Sequence, residues 1–385
     1  MNVSRPITLF MPYMGAGGIE RTVLNLLDEL PNKYGEIDLV VASVDERLMS
    51  RLPDTVHVVS LNANLPLGLV KRMMMPRNAA AIGIFPSFVR YLRQRRPKAV
   101  LSFQASVLAV LAAKIARTDA RIIVREANPS SVALGQESWM RRQLKLRLKR
   151  LAYGRADAVL AISQGVAADL VERTGLPEAS VHVIYNPSFN PRILEWAKEP
   201  VDHPWLTADV GLPVVISVGR LSHQKDFGTL IRAFMIVRER IASRLLIVGD
   251  GELRREAEHL INELGLEESV DIVGFVDNPF KYMAHSTVYA MSPRYEGLGN
   301  VYIEAQVCGL PIVSTDCPGG PREILLDGEA GLLVPVGDVN AVAGAIIRYL
   351  ESPQLAAQHV AKGQESLSRF QSDLVADKYL ALLEA

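Results

Sequence analysis

The sequence predicts an α/β protein built from two Rossmann-like, doubly wound domains that face each other across a cleft. Short β-rich runs alternate with helical patterns along the 385 residues, which is how parallel sheets of βαβ units read. The alternation breaks once, in a proline-containing stretch from Asn186 through Pro187, Pro191, Pro200 and Pro204 to Pro213, and then restarts. At roughly 150 residues per domain the length suits this division, and 49% hydrophobic against 22% charged residues is a globular composition. The expected limits are 1–190 for the first domain and 191–369 for the second, with a C-terminal helix over 370–385 packing back on the first.

In the first domain strands are expected at Ile7 to Met11, Ile37 to Ala42, Val56 to Leu61, Ala99 to Phe103, Arg121 to Arg125, Ala158 to Ile162 and Val181 to Tyr185. Helices fill the gaps, the clearest carrying Ile19, Val23, Leu26, Leu27 and Leu30 as one apolar stripe. The second domain repeats the pattern at Val214 to Val218, Arg244 to Val248, Val270 to Val273, Val288 to Met291, Pro311 to Ser314 and Gly331 to Val334. Sheets of this kind bind ligands at the carboxyl ends of their strands, so residues just after each strand carry the functional reading.

Charge narrows the partners. The 42 basic residues balance the 42 acidic ones, yet residues 1–195 are strongly basic and the rest correspondingly acidic. Between Asp54 and Asp119 there is no acidic residue, whereas Lys71, Arg72, Arg77, Arg90, Arg93, Arg95, Arg96, Lys98, Lys114 and Arg117 fall there. Such a half calls for an anionic partner. Nucleic acid is not expected, because no helix-turn-helix, zinc or aromatic RNA-binding motif accompanies the basic residues. Two cysteines, Cys308 and Cys317, build neither a disulfide framework nor a zinc site and suit the cytoplasm. The longest uncharged stretch, Thr55 to Val70, is too short and too polar for a membrane span. The run from Ile7 to Met11 is too short for a signal core.

Three clusters carry chemistry. Gly15-Ala16-Gly17-Gly18 follows the first strand and opens the first helix, where free amides attract an anion. Glu20 stands where a dinucleotide fingerprint needs its third glycine, which disfavours a nicotinamide site. After the first strand of the second half, Gly219-Arg220 and Lys225 place a guanidinium and an ammonium where they can converge on a diphosphate. Further on, Glu296-Gly297-Leu298-Gly299-Asn300 leads into a helix carrying Glu304. With a helix start near Gly299, Glu296 on the loop and Glu304 in the second turn can face one pocket.

These clusters, together with Gly-Leu-Pro-Ile-Val-Ser-Thr-Asp from Gly309 to Asp316 and Gly-Pro-Arg-Glu-Ile from Gly320 to Ile324, resemble glycosyltransferase family 4, the retaining enzymes of the GT-B fold. Gly17-Gly18-Ile19-Glu20-Arg21, Ala161-Ile162-Ser163, Ile184-Tyr185-Asn186-Pro187 and Gly249-Asp250-Gly251 extend the resemblance over most of the chain. The resemblance implies that Arg220 and Lys225 hold a donor diphosphate, Glu304 the ribose hydroxyls, and Glu296 with the backbone of Gly297, Leu298, Gly299 and Asn300 the transferred sugar. It places the base against Gly274 and Phe275, and Gly17 and Gly18 beside the phosphates. Catalytic weight falls on Glu296, Arg220 and Lys225. The chain has no Asp-x-Asp motif, so catalysis is expected to need no metal or other cofactor and to be largely electrostatic.

Where many members carry a histidine after the strand Leu101-Ser102-Phe103, this chain has Gln104, which cannot take up a proton at pH 7. In a front-face reaction the departing phosphate oxygen can take it, leaving Gln104 a polar positioning role. Glu126 and Asn128 are candidates for acceptor contact or for strand-end caps.

From Trp139 to Leu151 the chain carries Arg141, Arg142, Lys145, Arg147, Lys149 and Arg150. Met140, Leu144, Leu148 and Leu151 are expected to dock on the domain, leaving Trp139 and Leu146 outward beside Arg142 and Arg150. With Met73, Met74, Met75, Phe85, Phe88 and Tyr91 in the acid-free stretch, this face suits shallow binding to an anionic membrane surface. The expected function is retaining transfer of a hexosyl or N-acetylhexosaminyl group from a nucleotide-sugar donor, UDP-linked, to a hydroxyl of a lipid-linked glycan acceptor at the inner face of the membrane. The alternatives are a nucleotide-sugar epimerase on the same scaffold and a non-catalytic nucleotide-sugar binding protein.

Overall fold

The computed structural model describes residues 5–15, 17–61, 83–135, 138–207 and 211–385. The chain divides into two compact units, Met1–Pro187 with Ser372–Ala385, and Ser188–Gln371.

The first unit holds a seven-stranded parallel sheet of β1 (Ile7–Phe10), β2 (Ile37–Val41), β3 (Val56–Ser60), β4 (Ala99–Ser102), β5 (Arg121–Glu126), β6 (Ala158–Ala161) and β7 (Val181–Val183), in the order β3-β2-β1-β4-β5-β6-β7. β1 is central, with Phe10 opposite Val40 on one side and Ser102 on the other. Both neighbours of β1 and both faces of the sheet are covered, which is why its strands read as continuous Val/Ile/Leu runs rather than alternating ones. Helix α1 (Gly18–Tyr34) buries Val23, Leu26, Leu27 and Leu30. On the other face α2 (Phe85–Arg95), α3 (Ser106–Ala116), α4 (Trp139–Tyr153) and α5 (Gln164–Thr174) contribute to one core, with Phe88, Ala109, Tyr153 and Leu170 in a single cluster.

The second unit repeats the plan in a six-stranded parallel sheet of β8 (Val214–Val218), β9 (Arg244–Val248), β10 (Val270–Gly274), β11 (Val288–Met291), β12 (Ile312–Thr315) and β13 (Leu332–Val334), ordered β10-β9-β8-β11-β12-β13. Helices α6 (Phe227–Arg240), α7 (Arg254–Glu263) and α8 (Asn300–Val307) connect strands of this sheet, and α9 (Val339–Glu351) follows its last strand. In both sheets the strand order reverses beside the first strand, which opens a crevice at its carboxyl end. The C-terminal helix α10 (Ser372–Glu384) packs on α1. Lys33 and Asp377 form an ion pair at 2.7 Å, Lys98 and Glu384 one at 2.8 Å, and Arg121 Nε donates to the Leu382 carbonyl at 2.9 Å.

Helix α4 turns the opposite way from expectation. Leu146 is buried at 7% exposure, whereas Met140, Leu144, Leu148 and Leu151 stand 46–75% exposed. A polar anchor decides this rotation. Lys149 Nζ reaches Glu126 Oε2 at 2.6 Å and Ser130 Oγ at 2.8 Å, and the buried Tyr153 donates to the same Glu126 oxygen at 3.1 Å. Residues 146, 149 and 153 share one side of the helix, so the Met/Leu stripe faces solvent. Phe88 and Tyr91 likewise belong to the core rather than to a surface: Phe88 stacks on Phe10 at 3.9 Å between centroids. Met73, Met74 and Met75 lie outside the described residues.

Tyr91 also serves a buried charge. Asp38 on β2 is fully buried and accepts from Tyr91 Oη at 2.7 Å and Arg95 Nε at 2.9 Å, with His57 Nδ1 at 3.0 Å. Burial pushes the Asp38 carboxyl up, but the hydrogen bonds from Arg95, Tyr91 and His57 outweigh it and hold it below the usual carboxylate range. Because the folded state binds this proton more weakly, Asp38 stabilises the fold at pH above the unfolded carboxylate value of about 4, and that stabilisation fades as pH falls further. Asp38→Ala is therefore expected to cost about 2–3 kcal/mol at pH 7, discounted from a fully buried pair because Arg95 is partly solvated. In urea titrations the wild type should lose more stability than Asp38→Asn between neutral and acid pH.

Candidate functional site

The richest chemistry lies at the carboxyl edge of the second sheet, where three loops stack by backbone contact. After β8, Gly219 N donates to the Val248 carbonyl at 3.0 Å and Leu221 N to the Asp250 carbonyl at 3.1 Å. After β9, Gly249 N donates to the Gly274 carbonyl at 2.8 Å. A methyl at Gly249, whose φ is +149°, would fall on the Gly219 carbonyl oxygen, so only glycine lets the loops approach. Gly274 ends β10 with φ +88°, and Phe275 beyond it is exposed.

On the other side of β8 the chain positions opposite charges. Ser222 accepts from the Lys225 and Asp226 amides at 3.0 and 3.3 Å, and Ser292 Oγ donates to the Asp226 carbonyl at 2.7 Å. This turn aims Lys225 at the loop between β11 and α8, where its Nζ forms an ion pair with Glu296 Oε1. The two side chains are only 16% and 6% exposed. Gln224 joins from the same turn, donating to the Tyr295 carbonyl at 3.1 Å and to Glu296 Oε2 at 3.4 Å. Arg220 is exposed and has no hydrogen-bond or ion-pair partner among the described residues. An unpaired cation thus follows the same strand as a paired one.

Glu296 is set from behind as well. Its amide donates to the Pro318 carbonyl at 3.0 Å, and a methyl at Gly319 (φ +123°) would land on the Glu296 carbonyl oxygen. Leu298 is buried, and Gly299 (φ +91°) caps α8, where a methyl would strike the Tyr302 ring. Glu304 follows in the second turn, 3% exposed. Burial first, and then Glu296, pushes the Cys317 thiol up to about 12; burial and then Glu304 do the same to Cys308. Burial and Glu296 hold the Tyr302 phenol well above its ordinary value. These neighbours stay neutral at pH 7, and the ammonium of Lys225 is what faces Glu296.

The second unit therefore places Gly219, Arg220, Lys225, Phe275, Glu296, Gly297, Leu298 and Gly299 on the loops of one sheet edge, Gly274 at the end of β10, and Asn300 and Glu304 in α8, with Lys225 and Glu296 in contact. Sequence reasoning missed Gln224, whose adjacency to Lys225 was the available signal, and Gly319, which shows its purpose only through the carbonyl it lies against. In the first unit, Gly17 and Gly18 open α1, and Gly15 N donates to Glu20 Oε1 at 3.4 Å, so the residue that breaks the dinucleotide pattern braces the loop. Gln104 and Asn128 are half-buried after β4 and β5, and Ser102 Oγ donates to the Gln104 carbonyl at 2.8 Å. Glu126 is engaged by Lys149 and Tyr153, the arrangement of a strand-end anchor.

Comparison with known proteins agrees with this geometry. The family described as Glycosyltransferase Family 4 matches residues 16–187, and the one described as Glycosyl transferases group 1 matches residues 201–366. The chain is 29% identical over 388 residues to the N-acetylgalactosamine-N,N'-diacetylbacillosaminyl-diphospho-undecaprenol 4-alpha-N-acetylgalactosaminyltransferase of Campylobacter jejuni, covering 97% of this chain and 98% of that one. It is 29% identical over 367 residues to the amylovoran biosynthesis glycosyltransferase AmsD of Erwinia amylovora, covering 94% and 99%. Among solved structures, Anabaena HepE in complex with UDP and glucose superposes with a TM-score of 0.79 at 22% identity, over 98% of this chain and 99% of that one. No helix among the described residues is long and apolar enough to cross a membrane. With two matched domains in tandem, two Rossmann-like sheets and relatives aligned end to end, the chain belongs to the GT-B glycosyltransferases of family 4.

Proposed function

We propose that this glycosyltransferase moves a hexosyl or N-acetylhexosaminyl group, with retention, from a UDP-sugar to a hydroxyl of a lipid-linked glycan during bacterial polysaccharide or glycolipid assembly. It would work from the cytoplasmic side, at an anionic membrane surface met by its basic first unit. The observation that carries the reading is the shielded Lys225–Glu296 pair beside the uncommitted Arg220. A diphosphate brought to this edge meets a fixed ammonium and a free guanidinium, while the carboxylate of Glu296 and the Gly297–Asn300 backbone are left for sugar hydroxyls. Glu304 takes the ribose hydroxyls, and Gly274 and Phe275 the base.

Retention follows from front-face substitution. The bond from the anomeric carbon to the diphosphate oxygen breaks, the bond to the acceptor oxygen forms on the same face, and the acceptor proton passes to the departing phosphate oxygen. Gln104 has a polar positioning role, and Glu126 and Asn128 contact the acceptor or cap the ends of their own strands, none of them taking that proton. Arg220 and Lys225 stabilise the charge growing on the leaving group, so no metal is required. The Campylobacter jejuni relative acts, by its name, on a diphospho-undecaprenol-linked sugar, and HepE was solved with UDP. Both support the substrate classes assigned here.

Lys225→Ala and Glu296→Ala should remain folded by circular dichroism yet lose transfer about 10²–10³-fold; near-normal turnover in both would overturn the assigned roles. Transfer should persist in excess EDTA, and its abolition would overturn the metal-free reading. Gly319→Ala, which displaces the Glu296 carbonyl, should lower transfer at least about tenfold, with a smaller effect on the melting temperature than on the rate. A donor screen by nucleotide release, with and without membrane extract, identifies the sugar; conversion of donor alone to a second sugar nucleotide would point to an epimerase instead.

A further inference from the structure

Helices α2, α3 and α4 lie side by side on one face of the first sheet, α3 packing against both of the others. Their inner sides form the core, but their outer sides are not the polar surface that a covering helix ordinarily shows. On α3, Val107, Leu111 and Ile115 recur every four residues and are 38–51% exposed. On α4 the outward stripe is Met140, Leu144, Leu148 and Leu151, with Trp139 at its start 73% exposed. Ile115 also borders a groove of 530 Å³ lined by Phe85, Pro86, Val89, Arg90 and Arg93, which carries the apolar surface on to α2. An exposed patch of this extent on a monomer marks an interaction surface.

Charge selects the occupant. The three helices carry ten basic residues and no acidic one. Arg95 and Lys149 are spent inward on Asp38 and Glu126; the remainder ring the apolar stripes, with Arg90, Arg93, Lys114, Arg141, Arg147 and Arg150 exposed. A second copy of this chain would oppose like charges across the contact. An anionic leaflet instead accepts the apolar side chains at its acyl boundary and the cations at its headgroups.

We infer that the α2–α3–α4 face inserts its aliphatic side chains into the interfacial layer of an anionic bilayer, so that attachment combines apolar burial with charge. This rests on the membrane part of the function proposed above and is independent of the transfer chemistry. It makes the Met/Leu stripe of α4, rather than its arginines alone, the anchor.

The full chain is tested by sedimentation with vesicles of phosphatidylcholine alone or mixed equally with phosphatidylglycerol, at low salt and at about 0.5 M salt, where charge-only attachment is screened. Wild-type protein should bind the mixed vesicles at low salt and retain a measurable bound fraction at high salt, and brominated acyl chains should quench a fluorescence component that Trp139→Phe removes. Leu144→Gln with Leu148→Gln should weaken partitioning at least about tenfold while melting and UDP binding stay unchanged. Wild-type-like partitioning of that variant, or unquenched Trp139, would overturn insertion while leaving charge-driven attachment standing. No sedimentation at either salt would overturn both insertion and the membrane surface as partner. A dimer in light scattering that the two substitutions dissociate would assign the face to a second copy and overturn the lipid assignment. Vesicle binding with no binding of UDP or transfer would leave insertion standing and fail the transferase reading alone.

Discussion

Lys225 and Glu296 meet across 71 residues of sequence at the carboxyl edge of a parallel sheet, and the arrangement of the second unit's loops follows from keeping them together. Taking an ammonium and a carboxylate this far out of water costs about as much as their attraction returns, so such a pair adds little to stability. What it contributes is placement. Neighbouring thiols and phenols are held neutral, and the ammonium is fixed against the Glu296 carboxylate. A catalyst that works by electrostatics needs its charges in position before the reaction begins.

That placement depends on backbone meeting backbone. Gly249 lies against the Gly219 carbonyl, Gly319 against that of Glu296, and Gly320 against that of Leu298, each closer than any Cβ permits. The loops after β8, β9, β10, β11 and β12 consequently behave as one stacked layer, fixed by hydrogen bonds such as Gly249 N to the Gly274 carbonyl and Glu296 N to that of Pro318. Side chains rooted in such a layer have little freedom to drift, which is the condition for holding reacting groups to within a fraction of an ångström.

The first unit shows the same economy with a different outcome. Glu126 ends β5, and its carboxylate fixes the rotation of α4 through Lys149 and Tyr153. One buried polar contact thus decides which face of a helix rich in both leucine and arginine is turned to the outside. The basic character of this half and its exposed apolar stripes become a single surface through that contact.

The alternation of elements, the break near Asn186 and the strand positions were all legible in the sequence, because parallel strands buried on both faces must be apolar throughout and must be followed by helices. So was the position of Gly219, Arg220, Lys225 and Glu296 beyond strand ends at one edge of the second sheet, with Glu304 in the helix that follows. The facing of α4 was not legible: its apolar residues are compatible with either rotation, and hydrophobicity alone favours burying the Met/Leu stripe. Only the approach of Lys149 to Glu126, a contact between residues distant in the chain, turned Leu146 inward. Likewise nothing local marked Gln224 or Gly319. Periodicity and composition determine which elements form; tertiary structure decided which charge meets which, because a long-range ion pair leaves no trace in the residues on either side of it.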